Sequence, residues 1–223
     1  MALRMMINHR SLFGLLALVL LLAGCSLPKI IVLNDPLSAD EHVKLGVAYR
    51  DQGKNELARD QFRAAIERDK KHGKAWALLG EAAFFLQDYP ESEKAYGKAI
   101  DLDRTNGDLH NNLAWVLVAR GERLDKAGAL VHQAIGLTPD HRPYYLDTLG
   151  VILLTEGRTA EAVTALEESV RTIPPDQRQF LAEAWLHLAE AYQAAGDQAK
   201  ADAAREQNRH YGAPSPSPAA PER

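Results

Sequence analysis

A single cysteine, Cys25, is the scarcest feature of this 223-residue chain, and it rules out any intramolecular disulfide in any compartment. Positive charge is not in excess: 26 Lys and Arg stand against 30 Asp and Glu, a net charge of −4, which argues against a nucleic-acid partner. Catalytic signatures are missing in turn. The eight His residues show no His-Glu-x2-His spacing, and Gly-x-Ser-x-Gly does not occur. Gly46 to Lys54 reads Gly-x6-Gly-Lys, two residues too long for a phosphate loop and followed by Asn55 rather than Ser or Thr. In Asp101-x-Asp103-x-Thr105-Asn106-Gly107 the glycine falls one position late for a calcium loop, and Asn112 stands where a bidentate Glu belongs. Acidic pairs such as Glu167-Glu168 fit solvated helix faces better than acid/base couples. The chain therefore reads as non-enzymatic, with no cofactor, metal site or small-molecule substrate.

Long apolar runs are also scarce. The one at the start extends from Leu12 to Ala23 behind Arg4, His9 and Arg10, and it is too short to span a bilayer comfortably. It has the layout of an export signal, with a charged region, an apolar region and a small-residue cleavage site. Loss of Arg4 and Arg10 with residues 1–24 leaves 24 basic against 30 acidic side chains, a net −6. From Leu27 to Leu37 the chain carries Pro28, the short run Ile30-Ile31-Val32-Leu33 and Asn34-Asp35-Pro36, which together read as a tether. Ser38-Ala39-Asp40-Glu41 then matches a capping box and marks the first helix.

What is present in quantity is periodicity. With 46% hydrophobic and 25% charged residues the chain can bury a sizeable core. Leu45 and Gly46 recur 34 residues on as Leu79 and Gly80, and Phe62 and Ala65 recur as Tyr96 and Ala99. A fixed period of this length means a solenoid of stacked helix pairs. Units follow at His42-x2-Leu45-Gly46-x2-Tyr49, at Trp76-x2-Leu79-Gly80, at His110-x2-Leu113-Ala114 with a one-residue insertion after Gly121, at Leu146-x2-Leu149-Gly150, and at Trp185-x2-Leu188-Ala189-x2-Tyr192. His42 and His110 replace a leading Trp and are expected at partly buried packing positions. A polar last helix from about Gln198 to His210 suits the end of a stack. The Pro/Ser-rich segment after it cannot bury a core.

These residues resemble the tetratricopeptide family, whose unit reads Trp-x2-Leu-Gly-x2-Tyr, then Ala-x3-Phe and Ala. The resemblance implies an all-α, right-handed solenoid of about five helix pairs over residues 39–211, with residues 212–223 as a spacer or loose end. It also implies an inner wall built from the first helix of each pair. The family's wall positions fall here on Lys74, Glu81 and Phe84, on Asn111 and Trp115, and on Tyr144, Asp147 and Val151; these are the expected partner-binding residues. The Lys/Asn set with which some family members clamp a terminal carboxylate is replaced by Val43, Val47, Ala77 and Glu81.

Leu22-Ala23-Gly24-Cys25 resembles the lipobox of bacterial lipoproteins, which implies cleavage before Cys25, lipidation of its thiol and acylation of its new amine. Residues 25–38 would then form the lipidated tether. Ser26 after the cysteine favours the outer membrane, on its periplasmic face. The chain is similar to outer-membrane tetratricopeptide lipoproteins that assist assembly of type IV pili or of exopolysaccharide export channels, and to adaptors that hold a peptidoglycan hydrolase or protease. Peptide-binding chaperones with such repeats form a third group. The expected partner is an envelope protein or peptide, with the membrane engaged through the N-terminal lipid.

Overall fold

The computed structural model describes residues 35–212, and the folded unit begins at Leu37. The export signal, Cys25 and the Pro/Ser-rich tail lie outside the described residues. Ten α-helices follow one another, and no strand occurs among the described residues: α1 (Ala39–Arg50), α2 (Asn55–Arg68), α3 (Gly73–Phe85), α4 (Tyr89–Leu102), α5 (Gly107–Arg120), α6 (Leu124–Leu137), α7 (Arg142–Thr155), α8 (Thr159–Thr172), α9 (Arg178–Ala194) and α10 (Gln198–Gly212). A short 3-10 turn, Pro139–His141, precedes α7. The substantial contacts run between consecutive helices and between the first helices of neighbouring pairs. That is the nearest-neighbour connectivity of an α-solenoid.

Local chemistry sets the helix ends. Ser38 caps α1 in a reciprocal box, its Oγ accepting from the Glu41 amide at 3.3 Å while Glu41 Oε2 accepts from the Ser38 amide at 2.8 Å. Asp88 and Asn106 cap α4 and α5 through their side-chain oxygens, and Pro90 sits in the first turn of α4, where no N–H is needed. Between the two helices of a pair the chain must turn through the left-handed region. Gly53, Gly121, Gly157 and Gly196 supply that turn with φ between 64° and 79°, but the second pair uses Gln87 at φ 60°. The insertion after Gly121 is absorbed by a second left-handed residue, Arg123 at φ 54°. Its guanidinium is held by Glu93 Oε2 at 2.7 Å, and Arg120 reaches the same carboxylate at 2.9 Å.

The packing inside each pair explains the glycine of the repeat. A Cβ added at Gly46 would lie 2.5 Å from the Phe62 ring, one at Gly80 would lie 2.9 Å from the Tyr96 ring, and one at Gly150 would lie 2.4 Å from Leu166. Each large side chain of the second helix therefore rests directly on the backbone of the first. Phe62 and Leu166 are wholly buried, and so are Ala58, Ala114, Ala127, Val131 and Ala162 elsewhere along the core, a density that leaves no room for an extra methylene. Two buried serines tie the helices together: Ser92 Oγ donates to the Gly80 carbonyl at 2.7 Å and Ser169 Oγ to the Pro143 carbonyl at 2.8 Å, so neither hydroxyl is stranded.

His42 and His110, expected to be partly buried, are only 3% exposed. The Nδ1 of His42 lies 2.8 Å from Gln61 Oε1, and that of His110 lies 3.0 Å from the Asn106 carbonyl. Each imidazole thus finds a polar partner while filling the space of the leading Trp. In α10 only Ala201 and Ala204 are buried, which leaves a polar outer face at the end of the stack.

Candidate functional site

The first helices α3, α5, α7 and α9 touch in succession and form a continuous wall. A hollow of about 200 Å³ opens between α5, α7 and α9, lined by Asn111 and Trp115, by Tyr144 and Asp147, and by Phe180 and Glu183. A second hollow of about 220 Å³ lies between α3 and α5, where Glu81, Phe84 and the exposed Phe85 meet Asn112 and the other side of Trp115. Trp115 is common to both. Six of the eight expected wall residues therefore line one run of surface. Lys74, in the first turn of α3, is exposed, and Val151 on α7 is half-buried; neither borders the two hollows.

The larger cluster is aromatic at its base and polar around it. The Tyr144 and Phe180 rings meet edge to face with centroids 4.8 Å apart, and Phe180 remains 49% exposed. Trp115 stands 6.0 Å from the His187 ring. His187 Nδ1 is 2.9 Å from Asp147 Oδ1, with both side chains largely shielded from solvent. Burial alone pushes the His187 pKa down, but the hydrogen bond to Asp147 and the negative charges of Asp147, Glu190 and Glu183 overcome it and hold the imidazole above its ordinary value. In the other hollow Glu81 is paired with Arg50 at 3.3 Å. Phe84 is half-buried and divides its surface between the wall and the core, where it packs with Tyr96, Leu113 and Tyr89.

Several participants were not anticipated from sequence. Phe180 precedes the fifth repeat unit and reaches the wall because α9 has 17 residues, against 12 to 14 in the other first helices. Glu183 was legible: counting back from Trp185 as from Trp76 lands on it. His187 sits off the wall register, and its partner Asp147 is 40 residues away, a separation that carries no sequence signal.

The arrangement suits non-covalent recognition. Edge-presented aromatic rings offer apolar area at small entropy cost, and the surrounding carboxylates and amides supply direction. Among the described residues no three His, Cys, Asp or Glu side chains are grouped so as to hold a metal ion. A Tyr, Asp and His do converge elsewhere: Asp108 Oδ1 accepts from the Tyr145 hydroxyl at 2.7 Å and lies 2.8 Å from His141 Nδ1. That knot joins the third pair to the fourth. Tyr145 is 1% exposed, and both burial and the Asp108 contact push its phenol pKa up, which makes it a firm donor and a poor nucleophile.

Residues 43–106 and 82–142 match the tetratricopeptide repeat family. This chain carries tetratricopeptide repeats. The tetratricopeptide chain is 26% identical over 133 residues to the type IV pilus assembly protein PilF of Pseudomonas aeruginosa, across 59% of this chain and 52% of that protein. It is also 37% identical over 60 residues to a heat-shock protein cognate co-chaperone of Aspergillus fumigatus, across 27% of this chain and 18% of the co-chaperone. The chain thus spans about half the length of the pilus protein and about a fifth of the co-chaperone. Among solved structures it superposes on PilW, a widely conserved type IV pilus biogenesis factor, with a TM-score of 0.69 at 19% identity, covering 78% of this chain and 77% of that one. At that identity the superposition speaks for the solenoid fold alone. The described residues are accordingly all-helical, residues 43–142 carry tetratricopeptide repeats, and the chain is similar to pilus assembly factors. No helix among the described residues is long and apolar enough to cross a membrane.

Proposed function

We propose that this tetratricopeptide chain is a non-enzymatic scaffold of the bacterial envelope that presents its α3–α9 wall to a partner protein during assembly of a type IV pilus. The observation that carries the reading is the aromatic hollow of Trp115, Tyr144 and Phe180 on a tetratricopeptide wall. The similarity to PilF supports the choice of process. In this reading residues 1–24 are removed on export, Cys25 is lipidated and holds the protein on the periplasmic face of the outer membrane, residues 25–38 tether the repeats of 39–211, and 212–223 trail free. The lipobox-like Leu22-Ala23-Gly24-Cys25 supports the anchor, since stable attachment takes more than one acyl chain and a lipidated N-terminal cysteine carries several.

Crosslinking and pull-down from intact envelopes tests this, run beside a Trp115→Ala/Tyr144→Ala variant that keeps its helical circular dichroism. Recovery of a pilus pore or pilus assembly component with the wild-type chain, lost with the variant, is the expected result. Recovery of a hydrolase or protease would replace the assembly role with an adaptor role. In the same cells Cys25→Ala should shift the protein from the membrane fraction to the soluble periplasm. A second reading, a peptide-binding chaperone, draws support from the 60-residue likeness to the co-chaperone; capture of many unrelated clients in the same experiment would favour it.

A further inference from the structure

The chemistry of the hollow between α5, α7 and α9 narrows what it can accept. Asn111 is only 9% exposed, it lines that hollow, and its Oδ1 is buried with no hydrogen-bond partner. A buried amide oxygen without a donor raises the energy of the free protein, which favours a turn of this side chain toward any N–H brought into the hollow. The second observation is charge. Asp147, Glu183 and Glu190 all act on His187, which is the one basic group paired with any of them. Among the described residues Glu183 accepts only from the Gln179 side-chain amide, at 3.2 Å, and makes no ion pair. The rim around the Trp115–Tyr144–Phe180 floor is therefore net negative, with one carboxylate unneutralised beside an exposed aromatic ring.

From the orphan acceptor and the unpaired acid we infer that the hollow between α5, α7 and α9 docks an extended peptide segment of the partner protein in which a basic residue stands next to an apolar one. The Asn111 amide turns toward the hollow as the segment seats, so that its Oδ1 accepts a main-chain N–H, the apolar side chain seats on Trp115, Tyr144 and Phe180, and the Lys or Arg reaches Glu183. The inference rests on the proposed role of the wall and adds the chemistry of its occupant. An acidic or C-terminal carboxylate segment is disfavoured, because like charges would face each other across the rim.

The test is a phage-displayed random decapeptide library panned against the full-length chain in detergent, followed by fluorescence anisotropy with the enriched peptides. Enriched sequences should share Lys or Arg beside a large apolar residue. Glu183→Gln should weaken their binding about threefold at low salt, in the range of an exposed ion pair. Glu206→Gln, the same charge change on exposed α10, should leave it unchanged. Asn111→Leu should weaken binding roughly fivefold through the lost hydrogen bond, while leaving the melting temperature unchanged or raised because the orphan oxygen is gone. Peptides that compete at the aromatic hollow but lack a basic residue, or that bind Glu183→Gln at full strength, would overturn the inference and leave the wall as a docking surface. If no enriched peptide loses binding in Trp115→Ala, the wall reading falls with it. A large drop in melting temperature for Asn111→Leu would show Asn111 to be structural and would remove it from the site.

Discussion

The seam inside each helix pair and the wall across the pairs use aromatic side chains for opposite ends. In the seam Phe62 and Tyr96 lie on bare glycine backbone and are all but inaccessible to solvent. Across the wall Trp115, Tyr144 and Phe180 sit on neighbouring first helices and keep part of each ring in solvent, with charged groups between them. A residue in the seam has its contacts supplied by its own repeat, whereas a residue on the wall has contacts left to make. Substitutions in the seam should therefore change stability, and those on the wall should change binding.

The sharpest test of that division is Phe62→Ala. It should cost about 3 to 5 kcal/mol, the usual penalty for emptying a fully buried ring site, seen as a large fall in the denaturant midpoint. Ala99→Leu comes next: Ala99 is 1% exposed and packed among Tyr96, Leu109 and Leu113, so overpacking should cost about 1 to 3 kcal/mol. An unchanged melting temperature would contradict the repeat register itself. A smaller and pH-dependent effect belongs to the wall. The folded-state pKa of His187 is raised, so its ion pair with Asp147 contributes stability that is fully present below the unfolded value and is lost as pH rises through the folded one. Asp147→Asn should lower the melting temperature more at pH 5 than at pH 8, and should lower the His187 titration in an NMR experiment, since only the charges of Glu190 and Glu183 then oppose burial. The smallest effect lies in a turn. Gln87 holds the left-handed conformation that glycine holds in the other four pairs, and Gln87→Gly should stabilise by about 0.5 to 1 kcal/mol, read from chemical denaturation.

The seam was legible in the sequence because it repeats. Gly46 and Gly80, Phe62 and Tyr96, and Ala65 and Ala99 recur at one spacing, since each pair must solve the same close-approach problem. The turns were nearly as plain, with Gln87 the exception that composition alone conceals. The wall was legible only in part, because its occupants are chosen by what lies across the groove rather than by the repeat. Register placed Asn111, Trp115, Tyr144 and Asp147 around one hollow, yet it also named Lys74 and Val151, which stand apart. It missed Phe180, which extra length at the start of α9 brings in, and His187, whose position is fixed by a carboxylate 40 residues away on the preceding first helix.

The connectivity of the stack has a mechanical consequence. Among the described residues every substantial contact joins helices that are adjacent in the chain or one pair apart, with no long-range clasp between the first pair and the last. The stability of such an array is close to a sum over its pairs and the interfaces between neighbours, so it can open locally at its weakest interface. One end of the stack can then loosen while pairs farther along, and whatever they hold, stay in place.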